Sequence, residues 1–89
     1  FNTICNEYND QIILLTDTVE NKIYLLIDKN PALSTNIDGI VEHINKKIRL
    51  YYSTDRLQID KYIIEDFNSF LSGVKIDREL IREYFRQHV

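Results

Sequence analysis

The sequence predicts an all-α protein, a small four-helix bundle with a long first helix. Three observations lead there. Apolar residues recur at helical spacing along most of the 89 residues. Two glycines and one proline interrupt little. The breakers that exist, Lys29-Asn30-Pro31, Tyr52-Ser53-Thr54-Asp55 and Ser72-Gly73, cut the chain into four pieces. At this length they form one domain spanning residues 1–89.

The first piece runs from Thr3 to Asp28. Ile4, Tyr8, Ile12, Leu15, Val19, Ile23 and Leu26 recur at steps of three and four. That is an eleven-residue repeat, about 3.67 residues per turn, close to a straight helix. Such a helix is about 39 Å long at 1.5 Å per residue, against roughly 27 Å for a folded chain of this size. Its apolar stripe, widened by Cys5, Ile13, Leu14, Tyr24, Leu25 and Ile27, is expected to project and be covered by a second chain. Two other readings compete. Asp17 can cap a broken helix, with Glu20 completing the box. Alternatively, 12–16 and 22–28 are rich enough in isoleucine, leucine, threonine and tyrosine to form a hairpin turning at Asp17–Asn21.

Thr35 and Asp38 resemble a capping box for a second helix, Thr35 to Tyr52. Ile37, Ile40, Val41, Ile44, Ile48 and Tyr51 keep its register, and Lys46, Lys47 and Arg49 suit its C-terminal dipole. A third helix is expected from Thr54 to Ser72, with Ile59, Ile63, Phe67 and Phe70 as its stripe. The fourth opens at Asp77, where Ile76 can staple against Ile81, and buries Leu80, Ile81, Tyr84 and Phe85. The expected core is Ile12, Leu15, Ile23, Leu26, Ile40, Ile44, Ile48, Ile63, Phe67, Phe70, Ile81 and Phe85.

Composition weighs against several functions. The formal charge is −3, whereas a nucleic-acid binder ordinarily carries a basic excess. Isolated glycines cannot build a phosphate cradle. One cysteine and two histidines, His43 and His88, offer no nucleophile–base–orienter set. Asp38, Glu42 and His43 do not converge as metal ligands, and Glu65-Asp66 reads as a solvated acidic pair. No catalytic residue, metal or cofactor is expected. A lone Cys5, no Asn-X-Ser/Thr acceptor, no signal-peptide pattern and no membrane-length apolar run indicate an intracellular protein, cytoplasmic or nuclear. Phe1 in place of methionine suggests a domain excised from a longer protein.

Two features point to binding. Arg78, Arg82 and Arg86, four apart and preceded by Lys75, line one helical stripe. Arginine there can brace Glu79 and Glu83, or grip phosphate or carboxylate. The first thirty residues carry Glu7, Asp10, Asp17, Glu20 and Asp28 against two lysines, so the ends of the chain can complement each other and consume the stripe internally. Six tyrosines are the second feature. Tyr8, Tyr51 and Tyr52 are candidate contact residues, because tyrosine joins an apolar body to a polar tip.

Ile63-Ile64-Glu65-Asp66-Phe67-Asn68-Ser69-Phe70-Leu71, with Ile76 and Leu80-Ile81-Arg82-Glu83-Tyr84, resembles the end of the core-binding domain of tyrosine recombinases. That resemblance implies a helical domain clamping DNA ahead of a catalytic domain this chain lacks. Leu25-Leu26-Ile27-Asp28-Lys29-Asn30-Pro31-Ala32-Leu33 is similar to a string near the start of the helicase-binding domain of bacterial primases. The expected function is a non-catalytic protein–protein interaction domain, a subunit or module of a larger assembly. Its partner would be another protein or a second copy in a dimer, with no membrane. The alternative is a helical nucleic-acid-binding domain.

Overall fold

A computed structural model describes residues 11–29 and 37–89. Two strands, β1 (Ile12–Asp17) and β2 (Lys22–Asp28), form an antiparallel hairpin that pairs Leu15 with Tyr24 and Asp17 with Lys22. Helix α1 (Ile37–Tyr52) follows, then β3 (Lys61–Glu65), which pairs parallel to β2 with Leu26 opposite Ile63. The sheet order is β1-β2-β3. A single 3₁₀ turn (Phe67–Phe70) leads into a short hairpin, β4 (Leu71–Ser72) and β5 (Lys75–Ile76), and helix α2 (Arg78–His88) completes the chain.

The all-α four-helix bundle is therefore wrong: this is a mixed α/β fold. The error lies in the first and third pieces. Central strand β2 is covered on both sheet faces, so Ile23, Tyr24, Leu25, Leu26 and Ile27 are all buried. Burial on both faces erases the period-two signal that normally marks a strand. The apolar residues that widen the supposed helical stripe are the second face of a sheet. Leu14, Leu25 and Ile27 join Ile12, Ile23, Ile44, Ile48 and Ile59 in one core layer. Leu15, Tyr24 and Leu26 join Phe70, Ile81 and Phe85 in the other. No long helix runs through residues 12–28, and of its expected stripe Ile12, Leu15, Ile23 and Leu26 are buried while Val19 is exposed; Ile4, Cys5 and Tyr8 lie outside the described residues.

The third piece fails differently. Asp66 accepts a hydrogen bond from the Asn68 backbone at 2.9 Å and caps only one 3₁₀ turn, Phe67–Phe70. Residues 61–65 before it extend along β2. The first stretch of the recombinase resemblance, residues 63–71, is thus strand and turn, while its second, Leu80–Tyr84, lies in helix α2. Leu25–Asp28 of the primase-like string lie in β2, and residues 30–33 are outside the described set.

Both remaining helices form, although Leu80, expected on the buried face of α2, is exposed. Asp77 caps α2 through the Glu79 and Leu80 amides, and Ile76 packs in the same layer as Ile81. Helix α1 ends where Ser53 takes a left-handed φ of 53° and the Thr54 amide returns to the Arg49 carbonyl at 3.1 Å. That six-to-one closure is a Schellman ending, made here with serine rather than glycine. Thr35, the expected cap residue at the other end, is not among the described residues. Of the expected core, Ile40, Ile63 and Phe67 are only partly buried, and the other nine are buried. No helix among the described residues is long and apolar enough to cross a membrane.

Candidate functional site

The β1–β2 turn organises one end of the molecule. Asp17 closes β1, and its Oδ1 accepts from the amides of Val19 and Glu20 at 3.0 and 3.3 Å. Asn21 then takes a φ of 55°, a conformation asparagine tolerates better than most residues. Asp17 is 1% exposed, so its charge needs a partner. Arg86 supplies it from α2 with a fork: Nε to Oδ2 at 2.7 Å and Nη2 to Oδ1 at 2.8 Å. The Tyr24 hydroxyl donates to Oδ2 at 3.1 Å, and its ring stacks on Phe85 with centroids 4.4 Å apart.

These contacts set the electrostatics. The Arg86 guanidinium holds the Asp17 carboxyl well below the usual carboxylate range, against the opposing effect of burial. Burial, then the hydrogen bond to Asp17, pushes the Tyr24 phenol up to about 12. Arg86 is raised in turn by its bond to Asp17. The network is closed: the fork lies on the carboxylate, the phenol donates, and Glu79 lies 3.2 Å from Arg86 Nη1.

The arginine stripe is thereby largely consumed within the fold. Arg82 donates from Nε to the Thr16 carbonyl at 2.8 Å and pairs with Glu79 at 3.2 Å. With Arg86 on Asp17, only Arg78 of the three is exposed and outside this network. The described residues bring Arg82 and Arg86 together on β1, not on a common outward surface.

Beside the turn lies an open cleft of about 490 Å³. The hairpin lines one wall with Thr16, Thr18, Asn21 and Lys22, and segment 52–60 lines the other with Tyr52, Arg56, Leu57 and Gln58. Two side-chain bonds fix that second wall. Asn45 on α1 accepts from the Ile59 amide at 2.7 Å, and Asp60 Oδ2 accepts from the Ile23 amide at 2.7 Å. The lining offers hydroxyls, amides and two cations for hydrogen bonding, while Asp17 is already neutralised by Arg86. The sequence reading missed Lys22, Arg56, Gln58 and Asp60 as a group. Its hairpin alternative was the one signal that places Thr16–Ile23 at a common end.

Tyr52 lines this cleft, and Tyr51 meets it edge to face, centroids 4.9 Å apart. Tyr51 continues the stripe of Ile44 and Ile48 yet is 63% exposed, because the stripe outlasts the core. Leu50 beside it is 80% exposed and Tyr52 45%. Tyr8 cannot be placed among the described residues. His43 lies exposed on α1, and His88 packs against Tyr84 at the far end of α2, so neither lines the cleft. Among the described residues, no three His, Cys, Asp or Glu side chains are grouped to hold a metal ion. No family model, curated protein or solved structure matches the chain.

Proposed function

We propose that this chain is a non-catalytic protein–protein interaction module, contacting its partner through the end of α1. One observation carries the reading: Leu50, Tyr51 and Tyr52 are three consecutive large side chains with exposed surface, and Tyr52 lines an open cleft. Aromatic side chains of this kind dominate binding energy when a partner desolvates them. The cleft adjoining Tyr52 adds polar groups suited to the rim of such a contact. A single cysteine and the lack of an N-glycosylation acceptor support an intracellular location for the module.

The nucleic-acid alternative loses its main support, since Arg82 and Arg86 are turned onto β1. Paired affinity capture tests the interaction reading. Wild type and a Tyr51→Ala/Tyr52→Ala variant with an unchanged dichroism spectrum are compared side by side. A partner retained by wild type and lost from the variant is the expected result. Equal retention by both, or steep salt-dependent binding of duplex DNA by wild type instead, would overturn it.

A further inference from the structure

β3 is an edge strand: β2 pairs with one side of it, and no strand among the described residues pairs with the other. Its outward groups can be assigned from the ladder. The Asp28 amide donates to Gln11 across the hairpin at 2.8 Å, so alternate residues of β2 turn toward β3. The Lys29 amide accordingly donates to the Glu65 carbonyl at 3.2 Å. By the same alternation Lys61, Ile63 and Glu65 direct their backbone groups to β2, and Tyr62 and Ile64 direct theirs outward.

Exposed edges are ordinarily blunted by charged side chains, proline or a bulge, and of these β3 carries its terminal Lys61 and Glu65. β3 reads Lys-Tyr-Ile-Ile-Glu and is regular throughout its register. Tyr62 and Ile64 share the face toward α1, where the Tyr62 hydroxyl donates to Asp38 at 3.3 Å, and they are 40% and 46% exposed. The strand is also complementary to itself when reversed. An antiparallel copy centred on Ile63 sets Lys61 opposite Glu65 and Tyr62 opposite Ile64, each twice. In that register Tyr62 and Ile64, whose backbone groups point outward, form the hydrogen-bonded pairs. Ile63 falls on the two-fold axis as a non-hydrogen-bonded pair. A one-residue slip would turn each strand's apolar face over and separate the charges.

We propose that β3 pairs antiparallel with β3 of a second copy of this chain, through a two-fold axis at Ile63, to give one continuous six-stranded sheet. The interface is isologous and closes at two subunits. Lys61 and Glu65 are available to it. Among the described residues Lys61 donates to the Val89 carbonyl at 2.7 Å, and Glu65 accepts from the Asp66 amide at 3.3 Å and lies 3.9 Å from Lys29. This surface is separate from Leu50–Tyr52, so the proposal stands or falls without the function proposed above.

Sedimentation equilibrium of the full chain across micromolar concentrations, with charge-reversed variants, tests it. Wild type is expected to dimerise. Lys61→Glu and Glu65→Lys each set two like-charged pairs face to face, weakening the dimer by about tenfold or more. Mixing the two variants restores association as a heterodimer, because each then carries the charge the other lacks. Recovery in the mixture also shows that both variants remain folded. A monomeric wild type overturns the proposal. So does a dimer indifferent to either reversal, or a mixture that does not recover.

Discussion

Arg86 grips Asp17 with both arms of its guanidinium, 2.7 and 2.8 Å from the two carboxylate oxygens, across 69 residues of sequence. The pair fastens the last helix to the first hairpin. It also fixes the turn, because Asp17 Oδ1 holds the Val19 and Glu20 amides. Removing Arg86 leaves the Asp17 carboxylate buried and unmatched, whereas removing Asp17 leaves Arg86 partly exposed and paired with Glu79.

Arg86→Ala is therefore expected to destabilise the chain clearly, because the Asp17 carboxylate is left without its fork. Arg86→Lys keeps the charge but loses the fork, and recovers only part. Urea denaturation of both, with Asp17→Asn and the double variants, gives the coupling energy directly. A coupling near zero contradicts a closed pair.

The pH dependence has a definite sign on each side. The folded-state pKa of Asp17 is depressed, so its stabilisation is present above the unfolded value of about 4 and is lost as pH falls below it. Tyr24 is raised to about 12, so its contribution is full below the unfolded value of about 10 and is lost as pH rises toward 12. Thermal melts across both ranges check the two arms. Tyr24→Phe should remove the alkaline one.

Ser53 sustains a left-handed φ without glycine's freedom. Ser53→Gly is expected to stabilise the chain by up to about 1 kcal/mol, the strain relieved less the added freedom of the unfolded chain. Destabilisation in a urea titration would mean that the Ser53 side chain has another role.

Leu50 and Tyr51 stand outside the core. Leu50→Ala and Tyr51→Ala should each change stability by less than about 0.5 kcal/mol. Ile48→Ala, one turn earlier and fully buried, should cost about 2–4 kcal/mol. Chemical denaturation of the three separates a contact surface from a core rim.

The sequence was legible where a single face decides. Helices α1 and α2 each bury one stripe, and both are readable from Ile44–Ile48 and Ile81–Phe85 with Asp77 as cap. β2 was not, because covering both faces of Ile23–Ile27 removed the alternation that identifies a strand. By chance β1 and β2 together mimic an eleven-residue helical repeat from Ile12 to Leu26. The Asp17–Arg86 pair was foreshadowed by the acidic start and basic end of the chain, but the partner was not, since nothing local links residues so far apart. The cleft was invisible for the same reason: its walls meet only once β3 returns beside β2. Tyr51 and Tyr52 were readable as surplus tyrosines, and their exposure followed from a stripe that outruns its core.

Photo-crosslinking in the native cell from position 51 tests the interaction reading most directly, with the same photoreactive phenylalanine at Glu83 as control. Glu83 is exposed on α2, away from the cleft lining. The account predicts a discrete covalent adduct to another protein from position 51, abolished by Tyr52→Ala, and none from position 83. Equal labelling from both positions, or no adduct from position 51, would contradict it.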